Sequence, residues 1–180
     1  MNHTDNRRVK ITKQLFQDSL LELLDSQSIH EISIRTLCEK ADLNRSTFYK
    51  YYGSQYDLLK EIEDQLLNQI TKVFSKEMTL STYREQLTNL LTFALKHEHI
   101  CKLLFNANID PDFPKRLLNL PALHYALNIA TQDATPKKML YKQDFYFYGG
   151  YQVIKRWLNS EEKESPEELA EFFMRFINIQ

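Results

Sequence analysis

The sequence predicts an all-α protein, with an N-terminal three-helix helix-turn-helix domain over residues 1–54 and a larger helical domain over residues 55–180. Three observations predict it. Apolar residues recur at spacings of three and four through most of the chain, and no stretch alternates as a half-buried strand would. Three glycines and five prolines leave little for the tight turns of a sheet. Residues 33–59, SIRTLCEKADLNRSTFYKYYGSQYDLL, hold three successive helix starts.

Residues 7–26 form the first expected helix, with Ile11, Leu15, Phe16, Leu20, Leu23 and Leu24 as one apolar stripe and Asp5 or Asn6 as its cap. Ser33 caps the second, and Ile32 and Leu37 are spaced as the two sides of a hydrophobic staple. Asn44 caps the third, with Leu43 and Phe48 as its staple. Only Ala41, Asp42 and Leu43 separate the two, too few for anything but a tight turn. Two short helices joined in this way are the signature of a helix-turn-helix, whose second helix enters the DNA major groove. On that helix Arg45, Ser46, Thr47, Tyr49, Lys50 and Tyr51 all carry hydrogen-bonding groups, whereas Phe48 and Tyr52 fall one turn apart on the core side.

Ser54 opens a longer fourth helix, Asp57 standing where a capping box needs an acceptor, and its period runs through Leu58, Ile62, Leu66, Ile70 and Phe74. Residues 82–97 are helical by pattern, residues 99–106 give a short apolar piece around Ile100, Leu103, Leu104 and Phe105, and residues 108–114, with Pro111 and Pro114, form a turn or short loop. A helix over residues 115–131 is broken or kinked near Pro121. From Pro136 to about residue 159 runs a helix rich in aromatics: Tyr141, Phe145, Tyr146, Phe147, Tyr148, Tyr151 and Trp157. Gly149 and Gly150 lie inside it, at about 1 kcal/mol each against alanine, and close approach of another helix backbone is the simplest compensation. Ser165, Pro166 and Glu168 then read as N-cap, N1 and N3 of a last helix, whose stripe is Leu169, Phe172, Phe173, Phe176 and Ile177.

Composition excludes several classes. No segment approaches the roughly 18 apolar residues of a membrane span, and the N-terminus has no apolar core of a secretory signal, so a cytoplasmic protein is expected. Cys38 and Cys101 read as buried apolar residues. An enzyme needs a nucleophile with a base, paired carboxylates or a phosphate-cradling loop, and none is visible; no cofactor is expected. His97 and Cys101 share a helix face, but His99 points away and His124 is distant, so packing or surface roles outweigh a metal site. The net charge of −1 argues against a wholesale nucleic-acid coat. Placement is more informative: Arg7, Arg8, Lys10 and Lys13 cluster at the front, and Arg35, Arg45 and Lys50 sit on the two short helices.

The stretch LNRSTFYKYYGS, residues 43–54, resembles the recognition helix and following loop of the TetR-type transcriptional regulators. The resemblance covers mainly residues 11–67 and implies a homodimer, with a DNA-binding domain over 1–54 and an effector-binding and dimerisation domain over 55–180. It implies DNA contacts at Arg35, Thr36, Arg45, Ser46, Thr47, Tyr49 and Lys50. Two positions depart from the pattern. Gln55 stands where members usually carry a lysine, so a phosphate contact there releases no counterion. Asp42 replaces a common glycine, and aspartate tolerates the left-handed conformation. The aromatic run before Gly149, with Ile154, Trp157, Leu158 and the Ser165 start, is similar to the dihydroxyacetone-kinase activator branch, whose regulators can activate rather than repress.

The expected partners are a palindromic double-stranded DNA operator, a second copy of the chain, and a small-molecule or protein effector, with no membrane. Phe93, Leu104, Phe105, Tyr125 and Tyr141 are the candidate pocket residues. Phe147, Tyr151, Ile154, Trp157, Phe172, Phe173 and Phe176 are the candidate dimer interface, as a four-helix arrangement across a two-fold axis. The competing reading is a helical adaptor on the same fold that binds a protein and has no effector pocket.

Overall fold

The computed structural model describes residues 3–74, 79–106, 109–131 and 135–176. Within them lie ten α-helices and no strand: α1 (His3–Leu24), α2 (Ile34–Lys40), α3 (Arg45–Phe48), α4 (Gln55–Val73), α5 (Leu80–Lys96), α6 (Glu98–Leu104), α7 (Phe113–Leu118), α8 (Pro121–Thr131), α9 (Pro136–Leu158) and α10 (Pro166–Phe176). Of the break or kink expected near Pro121, the structure has a break, into α7 and α8. Ile177 and Asn108 lie outside the described residues, as does the side chain of Asp5.

The chain divides into two compact units, Met1–Leu66 and Leu67–Gln180. The first turns of α4 belong to the core of the first unit, where Leu58, Leu59 and Ile62 are buried. In that unit Phe16 of α1, Phe48 of α3 and Tyr52 meet as a ring cluster. Phe16 and Phe48 make an edge-on contact at 5.2 Å, and Phe48 and Tyr52 lie 5.4 Å apart. Such pairs contribute about 0.5–1.5 kcal/mol beyond area burial. The α1 stripe is narrower than its spacing suggests. Phe16, Leu20 and Leu24 are buried at intervals of four, while Ile11 and Leu15 are exposed. The helix also begins at His3, which puts Asn6 inside it rather than at its cap.

In the second unit α10 packs along α5, α8 along α9, and α6 against α9. Polar ties fix these pairs: Arg84 to Glu171 at 2.9 Å across α5 and α10, and the Gln143 amide donating to Asn128 Oδ1 at 2.6 Å across α9 and α8. The indole N–H of Trp157 donates to the Glu164 carbonyl at 2.8 Å and pins the loop before α10. Ser165 and Glu168 form the expected reciprocal cap. Glu168 N–H donates to Ser165 Oγ at 3.2 Å, and the Glu168 carboxylate accepts from Ser165 N–H at 2.8 Å. No helix among the described residues is long and apolar enough to cross a membrane.

The glycine pair does not meet another helix backbone among the described residues. A Cβ on Gly149 would have nothing within 4 Å, and one on Gly150 would lie 3.7 Å from the Phe173 ring.

Candidate nucleic-acid interface

Local chemistry sets α2 and α3 in place. Ser33 Oγ accepts from Thr36 N–H at 3.0 Å and closes the start of α2. Asp42, at φ 52°, is the one non-glycine residue among those described with positive φ, and it turns the chain between the two helices. Asn44 stands at the N-cap of α3 in extended backbone but makes no side-chain cap bond. Its carbonyl accepts from Thr47 N–H at 2.9 Å and starts the helix. The helix itself is one turn, continued by the turn in which Tyr51 and Tyr52 N–H both donate to the Phe48 carbonyl. At Ser54 the expected box is shifted by one residue: the Asp57 carboxylate accepts from Gly53 N–H at 3.0 Å, while Asp57 N–H donates to Ser54 Oγ at 3.3 Å.

This one turn presents two opposed surfaces. Phe48 is wholly buried, whereas Tyr49 is 58% exposed and Arg45, Ser46 and Lys50 are exposed beside it; Thr47 is half-buried. Arg35 is exposed on α2, and a shallow groove of about 400 Å³ brings it together with Arg45, along with Asn44 and the acidic Glu39 and Asp42. Arg35 Nε donates to Glu39 at 2.7 Å, which raises the guanidinium pKa further. Thr36 is half-buried, its hydroxyl 2.8 Å from Ser33 Oγ. Buried Cys38 forms part of the groove wall, and burial pushes its thiol pKa up.

Lys13, one of the basic residues at the front of the sequence, is engaged inside the unit. Its ammonium donates to both Glu61 oxygens, at 2.9 and 3.1 Å, and lies over the Tyr52 ring at 5.3 Å. Gln17 reaches the same carboxylate at 3.4 Å. The Tyr52 hydroxyl is buried beside them, and burial first, then the Glu61 charge, raise its pKa well above the ordinary phenol value. This network ties α1, α4 and the end of the recognition segment together. Sequence reasoning missed it, because the partners lie 44 to 48 residues apart.

The second unit holds an apolar cavity of about 120 Å³ walled by residues of α5 to α10, with Ile70 of α4 contributing. Of the candidate pocket residues, Phe93 and Phe105 line it. Leu104 is buried but outside the lining, and Tyr125 and Tyr141 are exposed on the surface, at 49% and 65%. Cys101 lines it too, with its thiol pKa pushed up to about 12 by burial, and His97 stacks its ring on Phe93 at 4.4 Å. Phe147, Tyr151, Ile154 and Phe173, expected from sequence at a dimer interface, line this cavity, Ile154 and Phe173 remaining half-buried. Phe147, Tyr151 and Trp157 are 6%, 6% and 3% exposed, so these three have no surface to offer a partner. Phe172 and Phe176 remain exposed. The outward apolar face of α9 is Leu140, Tyr141, Phe145 and Tyr148, with Phe145 at 74%.

Comparison with known proteins places both units. Residues 18–62 match the family described as bacterial regulatory proteins, tetR family, and residues 81–179 match one described as transcriptional regulator C-terminal region. The chain is 24% identical over 162 residues to the uncharacterized HTH-type transcriptional regulator YxbF of Bacillus subtilis (strain 168), covering 86% of this chain and 42% of that protein. It is 24% identical over 103 residues to the HTH-type dhaKLM operon transcriptional activator DhaS of Lactococcus lactis subsp. lactis (strain IL1403), covering 57% of this chain and 52% of that protein. The chain thus spans about half the length of these curated relatives. Among solved structures it is similar to a TetR transcriptional regulator from Streptococcus agalactiae 2603V, with a TM-score of 0.75, 24% identity and 97% coverage of both chains.

Proposed function

The chain belongs to the TetR family of transcriptional regulators, and from that premise we propose that it is a homodimer that reads a palindromic DNA operator with an affinity changed by a small molecule. The observation that carries the reading is the opposition of surfaces on α3. Phe48 locks the turn into the ring cluster, so Arg45, Ser46, Tyr49 and Lys50 project outward from a rigid base. Arginine and lysine pair with guanine O6 and N7, serine and threonine meet either base type, and a tyrosine hydroxyl donates to phosphate. Arg35 and the start of α2 supply a second phosphate contact, once the guanidinium leaves Glu39. With Gln55 uncharged and Lys13 held by Glu61, the electrostatic contact falls mainly on Arg35, Arg45, Lys50 and the exposed Arg7, Arg8 and Lys10 at the front of α1.

The dimer contact in this reading uses the outward face of α9, where Tyr141, Phe145 and Tyr148 surround Gly149. With nothing within 4 Å of its missing side chain, Gly149 lets the backbone of the partner's helix come close, which is the compensation absent within one chain. Phe172 and Phe176 of α10 extend the apolar surface offered to the second copy. The effector occupies the cavity of the second unit. Ile70 of α4 lines that cavity, and α4 is continuous from Gln55 to Val73, so a ligand pressing on Ile70 would tilt the helix and change the separation of the two recognition helices.

The test is selection of duplexes from a random pool by the full chain. The expected result is enrichment of a palindrome with half-sites about one DNA turn apart, roughly 34–36 Å. Enrichment of no sequence above non-specific binding would favour the helical adaptor. Phe145→Glu is expected to give monomers in light scattering, and a persisting dimer would refute the placement on α9.

A further inference from the structure

The cavity in the second unit constrains what it can hold. Among the described residues sixteen line it, and they include no Asp, Glu, Lys, Arg or His. The polar side-chain groups in its wall are the hydroxyls of Tyr83 and Tyr151 and the thiol of Cys101. The Tyr151 hydroxyl donates its proton to the Phe105 carbonyl at 3.1 Å, so toward the cavity it can only accept. Burial pushes Tyr83, Tyr151 and Cys101 each up to about 12, so the wall carries no charge at neutral pH. A carboxylate or phosphate placed there would lose its water without gaining a cation, a cost of many kilocalories per mole. Size is limited as well. A dry apolar cavity of about 150 Å³ takes up a single benzene. The cavity here is of that order, about 120 Å³.

Gly150 supplies an independent indication that the space is kept open. It lies in the middle of α9, where glycine costs about 1 kcal/mol against alanine. A Cβ there would make only an ordinary contact, 3.7 Å from the Phe173 ring, so packing alone would favour alanine. The position lines the cavity, and the added methyl would narrow it.

We propose that the cavity bounded by α5 to α10 selects a compact, uncharged, apolar ligand of about six to eight non-hydrogen atoms, and excludes molecules whose charged group must enter with it. This rests on the reading of the same cavity as the effector site and names the chemical class of the effector. A ligand whose ionic head or long chain has to lie inside the cavity requires a different site or a different conformation.

The test uses the full chain, with toluene and benzoate as a matched neutral and charged pair, in calorimetric and ligand-observed NMR titrations at neutral pH. Toluene is expected to bind at one molecule per chain and benzoate at least about 100-fold more weakly. Gly150→Ala is expected to raise Tm and weaken toluene about tenfold, and Ala94→Leu, at a second lining position, to weaken it further. Benzoate within threefold of toluene would overturn the proposal, as would toluene binding unchanged in both variants. Operator titration with and without toluene separates this from the functional reading. Toluene bound in the cavity with operator affinity unchanged upholds the ligand class and overturns the effector role. Operator binding intact with no toluene binding overturns the ligand class and leaves the DNA reading standing.

Discussion

In the first unit the aromatic rings converge, and on α9 they diverge. Phe16, Phe48 and Tyr52 meet at centroid distances of 5.2 to 6.4 Å and leave one polar face outside. On α9, Phe147, Tyr151 and Trp157 turn inward while Tyr141, Phe145 and Tyr148 face out. The first arrangement is a platform: Phe16, Phe48 and Tyr52 pack on one another, and the exposed residues of α3 project from it. The second leaves a cavity on one side and an apolar face on the other, which suits a region that takes up a ligand and a second copy.

The largest expected effect strikes the platform. Phe48→Ala removes the ring common to both Phe16 and Tyr52 and should cost about 3–5 kcal/mol. Hydrogen exchange should show loss of protection over α1 to α4, while Trp157 emission, which reports the second unit, keeps its native position. Simultaneous collapse of both would break the contrast between the units. Tyr151→Phe leaves the buried Phe105 carbonyl without its hydroxyl donor and should cost about 1–3 kcal/mol in denaturant titrations. Ser33→Ala removes the cap of α2 and should cost about 1 kcal/mol, with operator affinity falling as the start of α2 frays.

The smallest effect is pH-dependent. The backbone N–H and then the hydroxyl of Ser165 hold the Glu168 carboxylate below its ordinary 4.5. A folded pKa below the unfolded one means that the cap stabilises α10 above about pH 4.5 and that this contribution is lost as pH falls through the lowered value. Amide protection at the start of α10 should fall with acid, and Glu168→Gln should flatten that dependence.

Much of the first unit was legible in the sequence because its determinants are local. The Ser33 cap, the left-handed Asp42 and the burial of Phe48 and Tyr52 all follow from neighbours within a few residues. The Lys13–Glu61 pair was not, since nothing local distinguishes a lysine bound for phosphate from one bound for a carboxylate on α4. The inward face of α9 was illegible for a different reason. Four consecutive aromatics, residues 145 to 148, make the helix apolar on every side, so periodicity cannot say which side the core takes. Ile11 and Leu15 show the same limit on α1, where an apolar stripe wider than the buried face leaves residues outside.

The most direct test of the DNA-reading face is an anisotropy titration of the selected duplex at fixed salt, with the unmodified chain, Lys50→Ala and Tyr49→Phe. Both side chains are exposed, so thermal unfolding should not change. Lys50→Ala is expected to weaken binding about tenfold or more and, if the ammonium meets phosphate, to lower the salt slope by about one; Tyr49→Phe should weaken it less. Unchanged affinity in both variants would contradict the assignment of this face to DNA.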